Sequence, residues 1–373
     1  SSAMLLLLLV ATVFVISPAN LIASITPDWM TIGIITMLIF AYYLISTILP
    51  IDKAMGKVYP WFGAILIIST IAIGISLLTG GHNLPELTMG AMQNFHPKGT
   101  PIFPAIFFTI SCGAISGFHA TQAPMVSRTS TNEREGRFLF YGMMIAEGVI
   151  AMIWAGASMA LFDGQTLSQM IDAGTPSAVV NQVSTMLLGN VFGTVAIIGV
   201  IVLPISSGLS AFRSLRTILA DYMNIKQDSM KKILMMTIPL FVISFFLTKV
   251  DFNLIWRYFN WANQVTAVIA LLMSTRYLYL KNKNYLVTLL PATFMLYACV
   301  VYILSEPIGF RMGLQTATYL VGLVATVAIM ALYWTTGVKQ KVALSPESEL
   351  LNDHLPIGTC SSAGAVPAAV VAE

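Results

Sequence analysis

The chain has 373 residues, 57% of them hydrophobic and only 9% charged, with a formal net charge of +3 and a mean hydropathy of +0.82. A soluble domain carries about a quarter charged residues, so this balance excludes one and points to an integral membrane protein without a nucleic-acid partner. Cys112, Cys299 and Cys360 lack C-x-x-C spacing, and no disulfide framework is expected from them.

Taken in order, Ala3–Ile25 is the first apolar span, interrupted late by Pro18 and Asn20, and Met30–Leu49 is the second. The opening Ser-Ser runs straight into apolar sequence without a cationic leader, which is expected of a sequence starting inside a larger protein. Tyr59–Leu78 is the third span, and Thr79–Thr100, rich in Gly and Pro, reads as an exposed loop. Ile102–Pro124 is the fourth and Phe138–Ala160 the fifth, followed by a loop carrying Asp163 and Asp172. Val191–Leu219 is long for one span and contains Pro204 and the small run Ser206–Ser207–Gly208, so a kinked sixth helix is predicted. Ile233–Leu247, Trp261–Leu280, Tyr285–Leu304 and Leu314–Trp334 bring the count to ten. The fold class is therefore an all-α polytopic membrane protein, a bundle over 1–335 with a polar, disordered tail over 336–373.

Ten alternating crossings put 15 of the 19 Lys and Arg on one side, leaving Lys98, Lys249, Arg257 and Arg311 on the other. Positive residues collect on the cytoplasmic side, so both ends of the chain are expected there. A re-entrant fourth segment would switch every later loop and destroy that asymmetry.

The fourth span is the informative one. Ile102 to Ser116 makes about 22 Å of helix, too short for a hydrocarbon core of roughly 30 Å. The rest of the depth falls to Gly117–Pro124, where glycine, hydrogen-bonding side chains and proline all weaken a helix. A discontinuous helix is expected, tolerated in lipid only where protein or a water-filled cavity satisfies the freed backbone groups. Ser116, Gly117, His119, Thr121 and Gln122 are the candidate substrate-binding residues. Two half-helix ends offer free carbonyls and free N–H groups that suit a coupling ion and a carboxylate. The alternative is an ordinary, slightly kinked span with His119 and Gln122 at its interface.

Glu147 lies ten positions into the fifth span, where an ionised carboxylate costs roughly 2.5–3.5 kcal/mol. It should face the bundle interior, as a proton carrier or as a structural carboxylate bonded to a neighbouring helix. Glu147, His119, Ser206 and Ser207 form the candidate coupling set. Arg213 and Arg216 read first as inner anchors of the sixth span and second as partners of an anionic substrate. Trp256, Arg257, Tyr258, Trp261, Asn263 and Gln264 read as an aromatic belt or an outer gate. His82, Glu86 and His96 match no metal-ligand spacing, and no metal is expected. There is no H-E-x-x-H, P-loop or G-x-G-x-x-G, and Gly113–Gly117 places one residue too many before its serine to match a G-x-S-G protease motif. No enzyme is indicated.

Two stretches, HPKGTPIFPAIFFTISCGAISGFHATQAPMVSRT and NEREGRFLFYGMMIAEGVIAMIWAG, resemble the carbon starvation protein family (CstA). PISSGLSAFRSLRTILAD and FNLIWRYFNWANQVTAVIAL look like further family segments, so the likeness covers most of Met30–Trp334. The resemblance implies uptake of peptides, or in close relatives pyruvate, across the bacterial inner membrane under nutrient limitation. It also implies a fold similar to the amino acid–polyamine–organocation (LeuT-like) superfamily, with inverted five-helix repeats and the break at Ser116–Gln122 opening the second. Against that pattern the leading spans of the first repeat are missing, so the chain is expected to be part of the family fold. Leu209 stands where the resemblance implies an acidic residue. The expected function is ion-coupled transport of a small carboxylate-bearing nutrient, with H⁺ or Na⁺ as coupling ion and no other cofactor. A membrane sensor that binds without moving solute is the alternative. The partners are the lipid bilayer and the substrate, and the sequence leaves the oligomeric state open.

Overall fold

The computed structural model describes residues 2–48, 52–82, 84, 86, 88–89, 94, 101–174 and 176–338. Two compact units divide the chain, Ser1–Ile329 and Met330–Glu373. Among the described residues of the second lies a π-helical turn, Tyr333–Val338; the predicted tail beyond it, like His96 and most of the Thr79–Thr100 loop, falls outside the described residues.

Every described element is helical. Helix α1 is Ser2–Ile25, α2 Ile32–Ile48, α3 Asp52–Thr79, α4 Ile102–Ala114 and α5 Gly117–Thr129. A π turn, Arg137–Gly142, leads into α6, Met143–Leu161. Then come α7 Gly164–Gly174, α8 Pro176–Tyr222, α9 Met230–Leu247, α10 Phe252–Leu280, α11 Leu286–Ser305 and α12 Thr316–Leu332. The protein is an all-α polytopic membrane protein. Eight described helical stretches are long and apolar enough to cross a membrane, counting α4 with α5 as one. Helix α2 falls short in length, and α10 in apolarity, because Asn260, Asn263, Gln264 and Thr266 interrupt its apolar run. Those two correspond to the second and eighth of the ten expected spans, so the described helices that qualify number eight.

Two boundaries differ from expectation. The predicted loop after the fifth span contains α7, whose Asp163 cap accepts the Thr166 N–H at 2.7 Å. The Thr166 side chain, and after it this backbone bond, hold the Asp163 carboxyl below its ordinary range. The predicted sixth span is the second arm of α8, which folds back at Gly189 (φ 74°, ψ 176°), a conformation that only glycine adopts cheaply. The first arm is tied to α3 where Ser76 Oγ donates to the Leu187 carbonyl at 3.0 Å.

Helix α1 occupies the centre, packed against α8, α10, α2, α9 and α5. Leu6, Leu7, Val10 and Val15 are buried there with Tyr43, Phe212, Phe241 and Phe259. Lipid supplies no hydrophobic drive between helices, so close fit and polar stitches hold such a bundle. One stitch joins Thr12 Oγ1 of α1 to Ser244 Oγ of α9 at 2.9 Å. Helix α6 is the opposite case, with Ala157 its one buried residue. It lies against α3, α4 and α8 at the margin of the unit.

Candidate functional site

The fourth crossing is discontinuous, and the interruption is shorter than its sequence suggested. Helical geometry ends at Ala114; Ile115 (φ −135°, ψ 77°) is irregular and Ser116 (φ −104°, ψ 133°) is extended; α5 begins at Gly117 and runs through Pro124. The expected unwinding of Gly117–Gln122 is thus corrected: at the break it is Ile115 and Ser116 that leave the helix. Ser116 restarts it as an N-cap, its Oγ accepting the Phe118 N–H at 3.2 Å.

What closes the gap comes from α10. Asn263 Oδ1 accepts from Ser116 Oγ and from Phe118 N–H, both at 3.0 Å. Its Nδ2 reaches Cys112 Sγ of α4 at 3.6 Å. One carboxamide therefore touches both half-helices, and it is fully buried, at 0% exposure. Gly117 makes this possible: a Cβ there would collide with the Asn263 carbonyl oxygen and lie 2.7 Å from Thr266 Cβ. Of the first donors of α5, offered by the sequence as a carboxylate site, the Phe118 N–H is thus engaged by protein. The neighbouring Gln264, also 0% exposed, has no hydrogen-bond partner for either amide atom.

The remaining predicted residues divide between two faces of α5. On one, His119 Nε2 stands 3.4 Å from Glu147 Oε2 of α6, the side chains 36% and 46% exposed. Glu147 reaches toward α4, its Oε1 being 3.8 Å from where a Cβ of Gly113 would sit, but at 46% exposure it is not enclosed by the bundle as the sequence led one to expect. On the other face, Gln122 Nε2 donates to Ser214 Oγ of α8 at 3.1 Å. Thr121 serves the backbone, donating to the Phe118 carbonyl at 2.7 Å.

Beside Gln122 lies a cavity of about 360 Å³. Its walls are Tyr59 from α3, Phe118 and Gln122 from α5, and Ser206, Ser207, Leu209, Ser210 and Arg213 from α8. At roughly 30 Å³ per water, it holds a dozen or so non-hydrogen atoms. Ser206 Oγ donates to the Leu203 carbonyl at 2.8 Å and Ser210 Oγ to the Ser206 carbonyl at 3.2 Å. With their protons committed to the helix, these hydroxyls keep their lone pairs for accepting. Ser206 and Ser207, predicted for coupling, thus share a wall with Gln122, predicted for substrate. Tyr59 Oη is held by Tyr42 Oη at 2.8 Å.

Three assignments change with the geometry. Arg213 does not end its helix, since α8 continues nine residues, about 14 Å, beyond it. Arg216 reaches Thr237 Oγ1 of α9 at 3.4 Å. The predicted belt over Trp256–Gln264 belongs to one helix already running from Phe252, and it splits by face. Arg257 Nη1 pairs with Glu306 Oε2 at 3.6 Å, Trp261 Nε1 donates to the Cys299 carbonyl at 3.4 Å, and Asn263 turns to the break. Asn263 is the residue that sequence reasoning misplaced. The signal was two adjacent carboxamides in an otherwise apolar helix, costly in lipid unless turned inward.

Comparison with known proteins adds what geometry lacks. The family profile for carbon starvation protein CstA matches residues 2–254. An uncharacterized membrane protein of Haemophilus influenzae is 38% identical over 222 residues, covering 46% of this chain and 60% of that one. The pyruvate/proton symporter BtsT of Escherichia coli is 33% identical over 127 residues, covering 32% of this chain and 17% of its own length. The peptide transporter CstA of the same organism is 30% identical over 128 residues, with the same coverages of 32% and 17%. The chain thus spans 60% of the length of the first of these relatives and 17% of each of the other two. No solved structure matches it.

Proposed function

The chain belongs to the carbon starvation protein CstA family, and we propose that it takes part in ion-coupled uptake of a small carboxylate-bearing nutrient, a peptide or pyruvate, across the bacterial inner membrane. The observation that carries this reading is the cavity against the discontinuous helix, into whose partly apolar wall Gln122, Ser206, Ser207 and Arg213 are set. Transporters place substrate at such interrupted helices, where the bundle can rock about a fixed site. The cavity has the size of a small-molecule site at its lower bound, roughly 300 Å³. Relatives named as a peptide transporter and a pyruvate/proton symporter support the substrate class.

In this reading the His119–Glu147 pair is the coupling site for H⁺. It joins the substrate-bearing helix α5 to the marginal helix α6, and its half-open position allows proton exchange. The serine lone pairs in the cavity would serve Na⁺ instead, so H⁺ and Na⁺ remain the two coupling ions to compare. Both ends of the chain face the cytoplasm, following the cation distribution. No cofactor beyond the ion, and no catalytic step, belongs to this mechanism.

The test is counterflow and gradient-driven uptake of labelled peptide and labelled pyruvate in proteoliposomes, with imposed pH and Na⁺ gradients. Counterflow of one solute is expected, with accumulation following one gradient. Glu147→Gln should abolish pH-driven accumulation, a tenfold loss or more, while leaving counterflow in place. Binding without flux by the chain, alone or extended by further spans, would instead identify a sensor.

A further inference from the structure

We propose that the groove between α8 and α9, on the cation-rich side of the membrane, binds the headgroup phosphate of an anionic phospholipid, with Arg216 as the residue that holds it. The inference goes beyond the transport reading and does not depend on it. Arg216 is half-buried and has too few partners. Its Nη1 donates to Thr237 Oγ1 of α9 at 3.4 Å, a long bond, while its Nε is shut off from solvent and has no hydrogen-bond partner. No described carboxylate pairs with it. The charge acting on it is that of Arg213, one turn earlier and of the same sign. A guanidinium left so at the margin of a bilayer is costly. An anion with several acceptor oxygens relieves that cost by meeting the fork of donors, and a phosphate diester is such an anion.

A second observation falls in the same layer. The rings of Tyr43 on α2, Phe212 on α8 and Phe241 on α9 meet with centroids 5.7, 6.4 and 4.7 Å apart. Phe40 packs on Phe245 and Tyr43 on Phe241, so α2 descends as α9 rises. One helical turn further toward the cation-rich side, the three helices therefore present Ser46, Arg216 and Thr237. Ser46 Oγ, in a residue 3% exposed, also lacks a partner. The flanks of the groove favour a lipid over a soluble ion. Beside Thr237, Met235 and Ile238 are 61% and 49% exposed and make an apolar bed for acyl chains, which a free phosphate does not need. From Arg216 to Lys232 the chain carries four cations and two acids, and one acid, Asp228, is taken by Lys232 at 2.8 Å. Basic groups between helices at the cytoplasmic face collect anionic headgroups.

The experiment titrates the purified full chain, in mild non-ionic detergent, with phosphatidylglycerol and with phosphatidylcholine, counting bound lipid by native mass spectrometry. Wild-type protein should bind phosphatidylglycerol about tenfold more tightly. Arg216→Gln should bring that ratio close to one, and Arg216→Lys, which keeps the charge but loses the fork, should leave it intermediate. Lys231→Gln, at the start of α9, should keep most of the preference, and excess inorganic phosphate should not displace the lipid. A wild-type ratio near one, or a ratio unchanged in Arg216→Gln, overturns the inference. So does an equal loss in Lys231→Gln, the mark of attraction by the whole basic surface. Displacement by inorganic phosphate also overturns it, as the mark of a site for the free ion. If Arg216→Gln does not fold, Arg216→Lys decides, a wild-type ratio counting against the assignment.

Discussion

The two flanks of the interrupted helix are built on opposite principles. Toward α10 it is closed: Asn263 satisfies Ser116 and Phe118, Gly117 allows backbone-to-backbone approach, and the contact is fully buried. Toward α6 it is half open, with His119 and Glu147 meeting at 3.4 Å while keeping 36% and 46% of their side-chain surface accessible. A break in the backbone needs one side that repairs it and another on which charge can still change. Polar satisfaction in a membrane is costly to lose, so the repaired side carries stability and the open side carries titratable chemistry.

The strongest way to break this division is Gly117→Ala. A Cβ directed at the Asn263 carbonyl and at Thr266 Cβ forces α5 away from α10. A loss of about 3 kcal/mol is expected, toward the upper end for overpacking, read as a fall in the melting temperature of the detergent-solubilised protein. Asn263→Ala removes the bridge without adding bulk and should cost roughly 1–3 kcal/mol, the penalty for leaving Ser116 Oγ and Phe118 N–H with one bond fewer. Unchanged melting in both variants would mean that α10 does not hold the break. Gln264→Met sharpens the comparison by working the other way. Its carboxamide is buried without partners, so replacing it with an apolar chain of similar shape should stabilise by about 1 kcal/mol. Destabilisation there would show that Gln264 belongs to the repair. Glu147→Gln, on the open flank, should leave melting within about 0.5 kcal/mol of wild type while removing pH-driven accumulation.

Much of this was legible in residue order. Span lengths and the scarcity of charge gave an all-helical membrane bundle, and a polar run too soon after an apolar start marked the fourth crossing as discontinuous. The length of the gap was not legible. Glycine, threonine and proline after Ser116 weaken a helix in isolation, yet here α5 resumes at Gly117, because Ser116 caps it and α10 supports it. Apolarity was no guide to burial either. The leucine-rich α1 lies at the centre while α6, also apolar, lies at the margin. In lipid both environments are equally apolar, so composition does not rank them.

The sequence by itself determined the class of molecule, the order of its crossings and the neighbourhood of its break, because these follow from hydropathy and local backbone preference along one chain. Tertiary structure alone decided that a carboxamide 147 residues away bridges the interrupted helix, and that Arg213 shares a cavity with Gln122. Helices in a bilayer choose their partners by shape and by the few polar groups they must satisfy. Such choices join residues whose spacing in the chain carries no period to read.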